Sequence, residues 1–172
     1  MTLATSDHGP ASEPAHQDPS RADTRPTGPA LSQRIEIRAF DAPAGAEVLG
    51  LDLNLPLGAE DFARIHRAHL DHHVLVFRDQ RITPDQHIAF SRRFGPLQIH
   101  VLHQFQLAGY PEVLVVSNIV EDGKPVGLGD AGHFWHSDLS YKEKPSLGSL
   151  LHAQELPSEG GDTLFANMHL AW

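Results

Sequence analysis

The sequence predicts an α+β domain that is strand-rich around residues 132–138. Three observations predict it. Short apolar or alternating runs bounded by Gly, Pro and Asp recur along the chain, as strands require. Residues 59–72 instead repeat apolar side chains at helical spacing. Thr83-Pro84-Asp85-Gln86 then supplies the side chains that start a second helix.

Composition sets the limits. The chain of 172 residues is long enough for one domain with a core, and 40% hydrophobic with 20% charged residues is ordinary for a globular protein. A formal net charge of −9 argues against a nucleic-acid surface. There is no Cys, which excludes disulfides, thiolate metal sites and Cys nucleophiles, so any metal must be held by His, Asp or Glu. No apolar run is long enough for a membrane helix, and the first residues lack the basic and apolar blocks of a secretory signal. A cytoplasmic protein without membrane or nucleic-acid partners is expected, with a homo-oligomer left open.

Taken in order, residues 1–31 carry five prolines among small polar residues and almost no large apolar ones, so a disordered extension is expected before a domain over 32–172. Arg34–Arg38 alternates as a half-buried strand, and Ala46–Leu53 is a second strand. Ala59 to His72 places Phe62, Ile65, His66, His69 and Leu70 on one helical stripe. His66, His69, His72 and His73 could form a small divalent-metal module there, although ordinary surface histidines explain them more simply. Val74–Phe77 is a continuous apolar run, expected as a central strand buried on both faces. The helix begun at Thr83 runs to Phe94 and stops at Gly95-Pro96. Val113–Val116 is a strand, and Asn118–Gly132, rich in Gly and Asp, reads as a mobile loop that could cover a site. Pro145–Ala153, carrying Leu147, Leu150 and Leu151, is expected as a core strand, Asp162–Phe165 as a further strand after the turn at Pro157–Gly161, and Asn167–Trp172 opens a helix.

The candidate chemistry lies in Trp135-His136-Ser137-Asp138. On an extended chain, residues i and i+2 point to the same side, so His136 and Asp138 present an imidazole and a carboxylate together. That is two-thirds of the 2-His-1-carboxylate set that holds non-haem Fe(II). Trp135 is read as packing that steadies this segment.

Several stretches share order and separation with a known family. Val74–Arg78 precedes Thr83–Gln86 and Ala89-Phe90-Ser91-Arg92-Arg93-Phe94-Gly95-Pro96-Leu97. Trp135–Asp138, Leu156-Pro157 and Gly160-Gly161-Asp162-Thr163-Leu164-Phe165 follow. The sequence resembles the taurine / 2,4-dichlorophenoxyacetate dioxygenase family over residues 35–172. The resemblance implies a double-stranded β-helix, or jelly roll, with flanking helices. It implies Fe(II), with 2-oxoglutarate as co-substrate and O2, in hydroxylation of a small organic acid such as a sulfonate or aryloxyalkanoate, with succinate and CO2 as co-products. It makes His136 and Asp138 iron ligands, Thr163 a hydrogen-bonding partner of 2-oxoglutarate, and His100 a residue lining the pocket for an anionic substrate. His103 stands where the sulfonate-oxidising members have Tyr, which argues against a taurine-like substrate. The family's second His ligand and its 2-oxoglutarate-binding Arg residues are expected beyond Trp172. His152 and His169 are read as packed or surface residues. The chain is therefore expected to be the N-terminal portion of the domain, its C-terminal part missing. The alternative is an inactive fragment that at most binds a divalent metal weakly.

Overall fold

Helices and short strands alternate in the computed structural model, which describes residues 2–4, 33–129 and 131–172. In order these are β1 (Thr2–Ala4), β2 (Glu36–Ala39), β3 (Ala46–Leu49), α1 (Ala59–His72), β4 (Leu75–Val76), α2 (Pro84–Arg92), β5 (Leu97–Gln98), β6 (Gln106–Leu107), β7 (Tyr110–Leu114), β8 (Val120–Glu121), β9 (Lys124–Pro125), β10 (Ser146–Ser149) and α3 (Met168–Ala171). The mixed α and β content agrees with expectation. Apart from Thr2–Ala4, which form a strand, the extension expected over residues 1–31 lies outside the described residues. No described helix is long and apolar enough to cross a membrane. The chain divides into two compact units, one joining residues 33–81 with Pro157–Trp172, the other joining Ile82–Leu156 with β1.

In the first unit, β2 runs antiparallel to β3, pairing Glu36 with Leu49 and Ala39 with Ala46. Strand β3 is parallel to β4, and α1 lies between them in sequence, as a parallel pair requires. Ile35, Ala46, Val48 and Leu51 are buried with Ile65 and Ala68 of α1. The buried stripe of α1 is Asp61, Ile65 and Ala68, a turn of spacing apart. The expected stripe was rotated from this: Phe62, His66 and His69 only flank it, and Leu70 is exposed. Asp61 is tolerated in the core because its Oδ2 accepts from the backbone N–H of Gln33 at 2.9 Å. Strand β4 lies at the end of its sheet and is half-buried, not central as its apolar run suggested. Two residues of ladder suffice to place an apolar run at an edge, and periodicity cannot distinguish the two cases.

Two glutamine amides extend this sheet's hydrogen bonding. Gln33 accepts from the Asp52 N–H at 2.7 Å and donates to the Asp52 carbonyl at 3.1 Å. Gln80 accepts from the Leu53 N–H and donates to the Leu51 carbonyl, each at 2.9 Å. Each side-chain amide carries one acceptor and a donor group, so it stands in for a missing strand partner. The expected strand at Asp162–Phe165 makes no ladder, and Leu164 and Phe165 are exposed. Asn167 caps α3 by accepting from the N–H groups of His169 and Leu170.

In the second unit, α2 begins as the sequence requires. Thr83 Oγ1 accepts from Gln86 N–H, Thr83 N–H donates back to Gln86 Oε1, and Pro84 occupies the first turn. His87, Ile88, Phe90 and Ser91 are buried, and Phe90 meets Phe94 edge-on at 5.4 Å. Strand β1 is the centre of a three-stranded antiparallel sheet, pairing with β5 on one side and β10 on the other, so the strand expected in the core over Pro145–Ala153 is a four-residue edge strand with Leu147 and Leu151 exposed. The segment read as a mobile loop contains a hairpin, β8–β9, turned by Asp122 and Gly123 at φ 47° and 74°. Two successive positive φ values are what a two-residue hairpin turn needs, and Asp-Gly meets it.

Gly50 follows β3 at φ 72°, and a Cβ there would stand 2.2 Å from the Arg34 carbonyl oxygen. Gly50→Ala is expected to destabilise the protein by about 1–3 kcal/mol from backbone conformation alone. Urea denaturation measures this, and an unchanged midpoint would contradict the packing of Arg34 against the end of β3.

Candidate metal centre

The segment carrying His136 and Asp138 is not a ladder strand as first expected. Residues 135–137 belong to no strand, and the chain turns at Asp138, where Leu139 takes φ 54°. Lys142 N–H closes that turn on the Leu139 carbonyl at 2.9 Å. His136 Nε2 nevertheless stands 3.3 Å from Asp138 Oδ1, with the side chains 56% and 46% exposed. Trp135 is 70% exposed and does not pack over the segment as expected.

Each of the two side chains is held from its far end. His136 Nδ1 lies 2.8 Å from the carbonyl oxygen of Phe134. A carbonyl can only accept, so Nδ1 carries the proton and donates. In the neutral ring that leaves the Nε2 lone pair facing Asp138. On the other side, the Ser149 hydroxyl on β10 donates to Asp138 Oδ2. His136 Nε2 and a carboxylate oxygen thus face each other.

This pair fits a metal. Bonds of about 2.1 Å meeting near a right angle put adjacent donor atoms about 3 Å apart, close to the separation observed. A histidine ligand also commonly donates its second ring N–H to a carbonyl, as His136 does. Among the described residues, no group of three or more His, Asp or Glu comes together to hold an ion.

The other expected site residues are placed separately. Thr163 is exposed in the irregular stretch before α3, in the unit that does not hold His136 and Asp138. His100 is half-buried, and its Nδ1 accepts from Leu102 N–H at 3.1 Å. Gln106 Nε2 donates to the His100 carbonyl and faces His103 Nδ1, each at 3.0 Å. His152 packs edge-on to His87 and His169 stacks on His73, as packed or surface residues would. Sequence reasoning missed Ser149. It lies 11 residues from Asp138, and nothing in Ser146–Ser149 distinguishes a hydroxyl that meets a carboxylate from one that meets water.

The model of the Taurine catabolism dioxygenase TauD, TfdA family matches residues 36–172. The chain belongs to that family. Among curated TauD/TfdA relatives, the alpha-ketoglutarate-dependent 2,4-dichlorophenoxyacetate dioxygenase of Cupriavidus pinatubonensis is 39% identical over 138 residues, 74% of this chain and 48% of that protein. The (S)-phenoxypropionate/alpha-ketoglutarate-dioxygenase of Sphingobium herbicidovorans is 35% identical over 147 residues, 83% of this chain and 48% of that protein. The crystal structure of a taurine dioxygenase from Burkholderia xenovorans matches at 37% identity and a TM-score of 0.43, over 46% of this chain and 29% of that one. The chain spans about half the length of the curated relatives it matches.

His87 lies outside the candidate centre. It is buried on α2, its Nε2 has no hydrogen-bond partner, and burial, reinforced by the nearby His152 ring, lowers its pKa from 6.5 to about 4. A depressed imidazole pKa means that the unfolded chain takes up the proton first. Stability is unaffected well above pH 6.5 and falls as the pH drops from there toward 4, by up to about 3 kcal/mol. His87→Leu is expected to flatten that part of the stability–pH curve, measured by denaturant unfolding. Superimposable wild-type and variant curves would contradict a buried neutral His87.

Proposed function

We propose that the protein is an Fe(II)- and 2-oxoglutarate-dependent dioxygenase that hydroxylates a small organic acid. The observation that carries this reading is the His136 Nε2–Asp138 Oδ1 pair, with the His tautomer set by the Phe134 carbonyl. Residues 32–172 are then the N-terminal part of a jelly-roll domain with flanking helices, and a cytoplasmic location goes with this chemistry. The relatives named for 2,4-dichlorophenoxyacetate and phenoxypropionate favour an aryloxyalkanoate substrate. His103, in place of the Tyr of sulfonate-oxidising members, argues in the same direction.

When bound, Fe(II) with 2-oxoglutarate and O2 supplies the oxidising chemistry, releasing succinate and CO2 and hydroxylating a substrate C–H bond. The chain's own residues bind and orient. His136 offers the Nε2 lone pair because its Nδ1–H is already committed to Phe134. Asp138 offers Oδ1 and a negative charge that partly neutralises a divalent cation. Thr163 donates its hydroxyl to the distal carboxylate of 2-oxoglutarate, and His100 lines the pocket for the anionic substrate.

Succinate release by the intact protein tests this reading, with Fe(II), 2-oxoglutarate and a panel of aryloxyalkanoates and sulfonates. His136→Ala and Asp138→Ala are each expected to abolish turnover, and turnover retained in either variant sinks the assignment. Thr163→Ala is expected to weaken 2-oxoglutarate binding by about 1–3 kcal/mol, the worth of a hydrogen bond to a charged group. Titration of the co-substrate measures it, and an unchanged affinity would remove Thr163 from the binding site.

A further inference from the structure

Asp138 is engaged through both oxygens. Oδ1 faces His136 Nε2 at 3.3 Å, while Oδ2 accepts from the Ser149 hydroxyl on β10. The two oxygens of a carboxylate are chemically equivalent, and an unrestrained carboxylate binds a cation through one or both of them. A facial site has no room for the second. Three protein donors leave three positions, and 2-oxoglutarate with O2 needs all of them. A second oxygen from Asp138 would occupy one of those positions.

We infer that Ser149 is a positioning residue for Asp138, holding Oδ2 by its hydroxyl so that Oδ1 alone is presented beside His136. This rests on the iron-site reading above and deepens it. The Phe134 carbonyl restrains His136 in the corresponding way, but a backbone group cannot be removed by substitution. Ser149 is exposed, so removing its hydroxyl leaves no cavity. Threonine suits the same position, since it keeps the hydroxyl and favours a strand.

The test uses the intact protein with Mn(II) as a redox-inert probe of the Fe(II) site. Free Mn(II) is followed by electron paramagnetic resonance, and 2-oxoglutarate is titrated into Mn(II)-saturated protein. Ser149→Ala is expected to weaken 2-oxoglutarate binding by about tenfold, the lower end of what supporting partners of metal ligands contribute. Ser149→Thr is expected to restore it, and both variants should keep the wild-type thermal midpoint. Wild-type 2-oxoglutarate affinity in Ser149→Ala overturns the role, as does a Ser149→Thr variant as weak as Ser149→Ala. His136→Ala and Asp138→Ala separate this role from the site beneath it. If they lose Mn(II) while Ser149→Ala behaves as wild type, the site stands and the role of Ser149 falls. If they bind Mn(II) as well as wild type, the site falls and the role falls with it.

Discussion

Two electron-rich atoms set 3.3 Å apart, His136 Nε2 and Asp138 Oδ1, are the constraint from which the reading of this chain follows. With the ring proton on Nδ1, a neutral imidazole places no hydrogen between them. Such a contact is unfavourable unless a cation or a second proton occupies the gap. A second proton would make it an exposed His–Asp ion pair, and surface pairs of that kind contribute about 0–1 kcal/mol. Two restraints, one on Nδ1 and one on Oδ2, hold the side chains with Nε2 and Oδ1 facing each other.

Much of the scaffold was legible because the deciding interactions are local. The capping box at Thr83 and Gln86 closes within four residues, and Asn167 caps α3 over a similarly short span. The antiparallel pair β2–β3 follows from two alternating runs close in sequence. The His136–Asp138 pair belongs here too, since the two residues stand two apart in the sequence.

What stayed illegible depends on partners distant in sequence. Val74–Phe77 is as apolar as a central strand, but whether a strand pairs on its far side is not written in its own residues. Asp162–Phe165 has strand composition and no partner, so Leu164 and Phe165 stay exposed. The stripe of α1 was misplaced because Asp61 looks like a surface residue until the Gln33 N–H satisfies it. Asn118–Gly132 was read by its glycines as a loop, although an Asp-Gly pair between alternating residues is also a hairpin signal.

The placement of Ser149 shows how register in the sheet reaches the site. Strand β10 alternates half-buried Ser146 and Gly148 with exposed Leu147 and Ser149, so Ser149 lies on the outward face. Its backbone is fixed there by pairing with Thr2 of β1. A slip of one residue would turn Ser149 inward and bring Gly148 or Leu150 to its place, and neither carries a hydroxyl. The β1–β10 pairing is itself irregular between Leu3 and Ala4. It lies beyond the regular Thr2–Ser149 and Leu3–Gly148 pairs. The hydrogen bond to Asp138 is therefore set by the ladder as much as by the serine, and a change to β1 that moved the register would reach the carboxylate without touching it.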